Sequence, residues 1–99
     1  MYTELGPVRA NPAGAMGRNL LVEFSFRVCP PVTGLAEIKR KRIELKHQLL
    51  QLLSAKSTQE LENPLRVEIL QKEVRKLVNE KILKKGRAED VFITGFELK

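Results

Sequence analysis

The hydrophobic positions follow three different periods along the chain. Strict alternation comes first: Leu20, Val22, Phe24, Phe26 and Val28 fall on one side, and Leu21, Glu23, Ser25 and Arg27 on the other. That is the period of a pleated strand with one buried face. Cys29, Pro30 and Pro31 end it, because two prolines remove two ladder donors, and Thr33 is expected to cap the helix that follows. Between Leu35 and Leu53 the apolar residues Leu35, Ile38, Leu45, Leu49, Leu52 and Leu53 recur at helical spacing, which predicts one amphipathic helix. Arg42 projects near the centre of this stripe and Lys46 near its flank. Their stems must run out along the apolar surface to water or meet an acidic partner.

A capping box is legible at Ser57, Thr58, Gln59 and Glu60 and predicts a short helix. Pro64 closes that helix and suits the first turn of the next, with Asn63 as its cap. From Leu65 to about Lys85, Val67, Leu70, Val74, Leu77, Val78 and Ile82 form a second helical stripe. Gly86 is read as its C-cap, and Lys84 and Lys85 suit the negative end of its dipole. Asp90 to Lys99 reads as a closing strand, with Phe92, Thr94, Phe96 and Leu98 on one side and Val91 and Ile93 on the other. The opening, Met1 to Gly17, is punctuated by Pro7, Pro12, Gly14 and Gly17, so it is expected to be extended or looped, with room for one short strand near Leu5 to Ala10.

These elements describe an α+β fold in the order β-β-α-α-α-β. Two longer helices and one short one pack on one face of a small three-stranded sheet. Residues 1–17 form an N-terminal segment and 18–99 a single domain. So few strands leave edges that need covering, and a self-associating edge is one remedy.

Composition fits this picture. The 99 residues are 42% hydrophobic and 30% charged, with six Gly and five Pro, which argues for a folded chain with one core rather than disorder. A single cysteine, Cys29, excludes an intrachain disulfide, and with a single histidine, His47, no Cys/His zinc site can be assembled. The longest uninterrupted aliphatic run is Leu20, Leu21 and Val22, far short of a membrane span, and Met1 to Gly17 lacks the form of a signal peptide. No phosphate loop, GxSxG, HExxH or dinucleotide fingerprint is present. His47 falls opposite the Leu45 and Leu49 stripe and reads as a solvated side chain. Cys29 reads as a small buried or half-buried one. Glu37, Glu44, Glu68, Glu73 and Glu80 read as solvated ion-pair partners. Neither an enzyme nor a cofactor is expected.

Eighteen basic residues against twelve acidic ones give a formal charge of +6, which permits acidic partners without selecting one. The run Lys39, Arg40, Lys41, Arg42 is the most conspicuous local feature. Consecutive helical residues point about 100° apart, so the four cannot make one stripe. Together with Lys84, Lys85 and Arg87 they still leave the helical layer basic, and these seven residues are the candidate partner or oligomer interface. A solvated face, a protein-binding face and a nucleic-acid or lipid face are weighed in that order, the last because aromatics able to stack bases lie within the strands. The alternative reading of the whole chain is a small basic nucleic-acid-associated domain.

Several segments, taken in order, resemble the soluble domain of the FliL family of flagellar basal-body-associated proteins. LRVEILQKEVRKLVNEKI, Leu65 to Ile82, and GRAEDVFITGFELK, Gly86 to Lys99, resemble its last helix and its terminal strand, with Asp90, Val91, Phe92, Thr94 and Phe96 at the matching positions. GRNLLVEFSFRV, Gly17 to Val28, resembles its long strand; Pro7, Val8 and Asn11 precede it as expected, and STQEL, Ser57 to Leu61, fits the middle helix. Two departures stand out: the connection at Glu62, Asn63 and Pro64 is shorter than usual, and the family's N-terminal membrane anchor is not in this sequence. The resemblance implies a stomatin-like, non-enzymatic scaffold in the periplasm beside the inner membrane, tethered by that anchor. Its partners would be copies of itself in a ring-like homo-oligomer and the stator proteins MotB and MotA, which the domain would support for motility. Nucleic acid is not an expected partner.

Overall fold

A computed structural model describes residues 1–13 and 17–99; Gly14, one of the breaks read in the N-terminal segment, lies outside the described residues. The sheet has the order β1-β2-β3, both pairs antiparallel, with β1 at Val8–Ala10, β2 at Leu20–Cys29 and β3 at Arg87–Leu98. Between β2 and β3 come α1 (Pro31–Arg40), α2 (Arg42–Ser54), α3 (Thr58–Leu61) and α4 (Arg66–Leu77). The α+β class and the β-β-α-α-α-β order expected from sequence are those of the molecule, with the first helix bent into two.

β2 forms as its alternation requires. Leu20, Val22, Phe24, Phe26 and Val28 are all buried and meet Ile38, Leu45, Leu49, Leu53, Leu70, Val74, Val78 and Ile82 in one core. The N-terminal segment adds Tyr2, Leu5 and Val8 to that core, and Tyr2 exchanges both backbone hydrogen bonds with Phe26. Ser57 caps α3 with the full capping box, its hydroxyl accepting from Glu60 N–H while the Glu60 carboxylate accepts from Ser57 N–H.

Four helix boundaries differ from the sequence expectation. Helix α1 starts at Pro31, not after a Thr33 cap: proline at the first helical position gives up an N–H that would have no partner there. The helix expected over Leu35–Leu53 breaks at Lys41, whose backbone turns to φ −100°, ψ 22°. Its ammonium there donates to the Ile82 carbonyl at 2.8 Å, a tertiary contact with no local signature. The second long helix opens at Arg66, because the Asn63 side chain is spent one turn earlier, accepting from Leu65 N–H at 2.8 Å. It closes through a wide π-turn, Val78–Ile82, so Lys84 and Lys85 follow the helix instead of forming its last turn, and Gly86 is not its cap.

The closing strand begins at Arg87, three residues before the expected Asp90, and its faces differ from simple alternation. Register slips between Glu23 and Phe24 and between Arg27 and Val28 leave Thr94 and Glu89 of β3 as extra residues. Ala88, Val91 and Ile93 therefore share the core face with Phe96 and Leu98, each lying opposite a core residue of β2. Phe92 lies opposite Ser25 on the outer face instead of siding with Phe96.

Candidate functional site

The most densely bonded polar group of the described residues is Glu37. It lies between Gly34 and Ile38 on the buried side of α1 and is itself 2% exposed, against the expectation of a solvated ion-pair partner. Past the π-turn, Leu83 goes extended, and the next three backbone N–H groups converge on the Glu37 carboxylate. Lys84 N–H reaches Oε2 at 2.9 Å, while Lys85 N–H and Gly86 N–H reach Oε1 at 2.9 Å each. Lys41 Nζ adds a bond to Oε2 at 3.3 Å. Burial would raise the carboxyl's pKa, but these donors outweigh it and hold the group at about 2. Glycine is needed beside this junction: a Cβ on Gly86 would sit 2.8 Å from the Gly34 Cα, and one on Gly34 would press on Val28 at 3.0 Å. Two glycines and one carboxylate thus clamp the start of α1 to the loop that feeds β3.

Around this clamp the candidate basic residues take distinct places. Lys39 and Arg40 are exposed in the last turn of α1. Lys41 is mostly covered and committed to Glu37 and Ile82. Arg42 is exposed at the start of α2 and reaches the Leu5 carbonyl at 3.5 Å, a backbone partner where sequence allowed water or an acid. Lys84 and Lys85 give their backbone to Glu37 while their side chains stay exposed, and Arg87 is exposed at the start of β3. Glu37 brings Lys41 together with the backbone of Lys84 and Lys85; the run itself does not form one stripe.

Two features escaped the sequence reading. An open groove of about 580 Å³ is lined by Lys72, Arg75, Lys76, Asn79, Glu80 and Arg87. The 72, 75, 76, 79 spacing was the available signal, since it marks one face of a helix. Val32 and Ile43, flanking the basic run, are 84% and 81% exposed, apolar side chains outside the buried stripes. Their fall outside those stripes could have flagged them.

Other candidates carry no chemistry. His47 is exposed, as expected. Cys29 is exposed instead of buried, because the strand ends at the surface, and a hydrogen bond with Glu89 pushes its thiol pKa up, away from the reactive thiolate. Among the described residues no group of three metal-ligating side chains occurs, and no helix is long and apolar enough to cross a membrane.

Residues 2–97 match the family model of the flagellar basal body-associated protein FliL, nearly the whole chain. The chain belongs to the FliL family. Membership associates it with the flagellar basal body, and FliL is a structural and accessory family of that organelle. No individual curated protein matches the chain.

Proposed function

We propose that this FliL domain is a non-enzymatic scaffold of the flagellar motor, held in the periplasm by a membrane anchor, where it self-associates around the stator units and supports them. The observation that carries this reading is the family match over residues 2–97. The site geometry supports it: the best-connected polar group, Glu37, is saturated by four donors and cannot serve as a catalytic base. A scaffold acts by contacts that change how long stator units stay engaged, and this needs a rigid block with accessible faces. Lys39, Arg40, Arg42, Lys84, Lys85 and Arg87, with the apolar Val32 and Ile43, are all exposed and offer basic and apolar contacts suited to an acidic protein surface; Lys41 is committed to Glu37 and the Ile82 carbonyl instead.

Crosslinking in motile cells tests the reading. The expected result is adducts between neighbouring copies and with the periplasmic segment of MotB, together with impaired swimming when the gene is deleted. Absence of both adducts with unaffected swimming overturns it.

A further inference from the structure

The β3 edge facing away from β2 is treated in two different ways along its length. Asn19 and Lys99 exchange both backbone bonds, at 2.9 and 3.0 Å, which sets the alternation of the ladder. Antiparallel pairs alternate between bonded and non-bonded, so the N–H and C=O groups of Leu98 and Phe96 point outward from the sheet. Counting from the other end, Phe26 spends both groups on Tyr2, so those of its partner Val91, and two residues on those of Ile93, point outward as well. α4 and the π-turn that follows it cover the first half of this edge with amide side chains. Asn79 accepts from Ala88 N–H at 2.7 Å and donates to Ala88 C=O at 3.1 Å, and Gln71 donates to Val91 C=O at 3.1 Å. No hydrogen bond among the described residues covers the outward groups of Ile93, Phe96 and Leu98. An uncovered stretch of edge is a template for another strand.

Beside that open half lies a groove of about 340 Å³ lined by Arg18, Leu61, Glu62, Arg66, Phe96 and Leu98. Most of its lining is polar, from Arg18, Glu62 and Arg66, and Phe96 and Leu98 add a smaller apolar share. Arg18 is neutralised by Glu62 at 3.1 Å, whereas Arg66 rests over the Phe96 ring at 5.3 Å and has no carboxylate partner among the described residues. We propose that the Ile93–Leu98 edge and this groove bind an extended peptide segment of another protein by strand addition, its apolar side chains on the partly exposed Phe96 and Leu98 and an acidic side chain on Arg66. Main-chain bonds would supply affinity, and the groove and Arg66 selectivity. A second copy pairing edge to edge fits less well, since it would set Arg66 and the α3–α4 turn of both copies against their own equivalents. The inference does not depend on the flagellar reading.

The test is hydrogen exchange and an NMR titration of the whole chain with a blocked peptide alternating valine and glutamate. In the free protein, Ala88 N–H is expected to exchange slowly and those of Ile93, Phe96 and Leu98 fast. Peptide should slow and shift these three. A version N-methylated on alternate residues, which keeps the side chains but removes the donors, should bind about tenfold more weakly. Arg66→Glu should reverse the preference toward a valine–lysine peptide; if that variant does not fold, the comparison of methylated and parent peptides on the native chain decides. Equal binding of the two peptides overturns the proposal, as do absent shifts at millimolar peptide or three amides already protected in dilute protein. Protection that rises with protein concentration assigns the edge to a second copy and equally overturns it.

Discussion

A buried carboxylate is stable only when its donors compensate for lost water, and Glu37 has four of them, three from consecutive backbone positions. Its folded pKa of about 2 lies below the ordinary 4.5, so at intermediate pH the unfolded chain binds the extra proton. The stability Glu37 contributes is therefore fully present above about pH 4.5 and is lost as pH falls toward 2. Glu60 shifts in the same direction through its bonds to the Ser57 backbone and hydroxyl, so a shallow acid limb should survive without Glu37. Glu37→Gln is expected to cost about 1–3 kcal/mol at pH 7, because an amide leaves a backbone donor poorly matched. It should also flatten the pH dependence of the urea midpoint between pH 4.5 and 2. Parallel acid limbs for both proteins would assign the effect to another carboxylate. None of this was legible locally. With Lys41 four residues on, Glu37 looks like any exposed ion pair, and its partners lie 47 to 49 residues away. Gly86 carries the other half of the clamp: Gly86→Ala should cost about 1–3 kcal/mol, because the clash is with Gly34 backbone and no rotamer relieves it. Thermal melting checks this, and an unchanged midpoint would mean the two segments part freely.

The elements that were readable are those whose signal lies within a few residues. β2 alternates, α3 carries its capping box, and the stripes of α2 and α4 place Leu45, Leu49, Leu53, Leu70 and Val74 in the core. Ser57→Ala should accordingly cost about 1 kcal/mol, the usual worth of an N-cap, as measured by urea unfolding. Phe24→Ala and Leu70→Ala should each cost roughly 2–5 kcal/mol, since both side chains are 3% exposed and lie in the shared core. Losses under about 0.5 kcal/mol would mean that these faces do not meet. What stayed hidden is set by long-range pairing. The break at Lys41 has neither glycine nor proline to announce it and answers to the Ile82 carbonyl. The two bulges of β3 follow from matching its apolar residues to the single buried face of β2, so Val91 and Ile93 join Phe96 and Leu98 where plain alternation would separate them. Alternation within one strand cannot reveal a residue skipped against its neighbour.

For the molecule as a whole, the distinction that matters is between charges that hold it together and charges free to meet something else. Lys41 belongs to the first kind. Lys39, Arg40, Lys84 and Lys85 expose their side chains and make no ion pair among the described residues, so their part in the +6 charge is open to a partner's field. Reversing surface charges of this kind usually changes stability by less than about 0.5 kcal/mol. Association is more sensitive, because steering by exposed charge acts over a screening length of about 10 Å at 0.1 M salt and collapses as salt rises. Lys39→Glu, Arg40→Glu and Lys84→Glu combined are thus expected to leave the melting temperature nearly unchanged. Under the scaffold function proposed above, crosslinking between membrane-tethered copies, or to the stator segment, should fall at low salt and lose its salt dependence. Lys41→Met should do the opposite, lowering the melting temperature by depriving Glu37 and the Ile82 carbonyl of a donor while leaving the salt dependence of association in place. The comparison uses copies tethered to a membrane, as the proposed function has them, since confined copies meet at an effective concentration that a dilute domain never reaches. If the triple reversal melts normally and crosslinks as well as the native protein at every salt concentration, the basic surface is only a solvated face, and the partner must be held by some other part of the molecule.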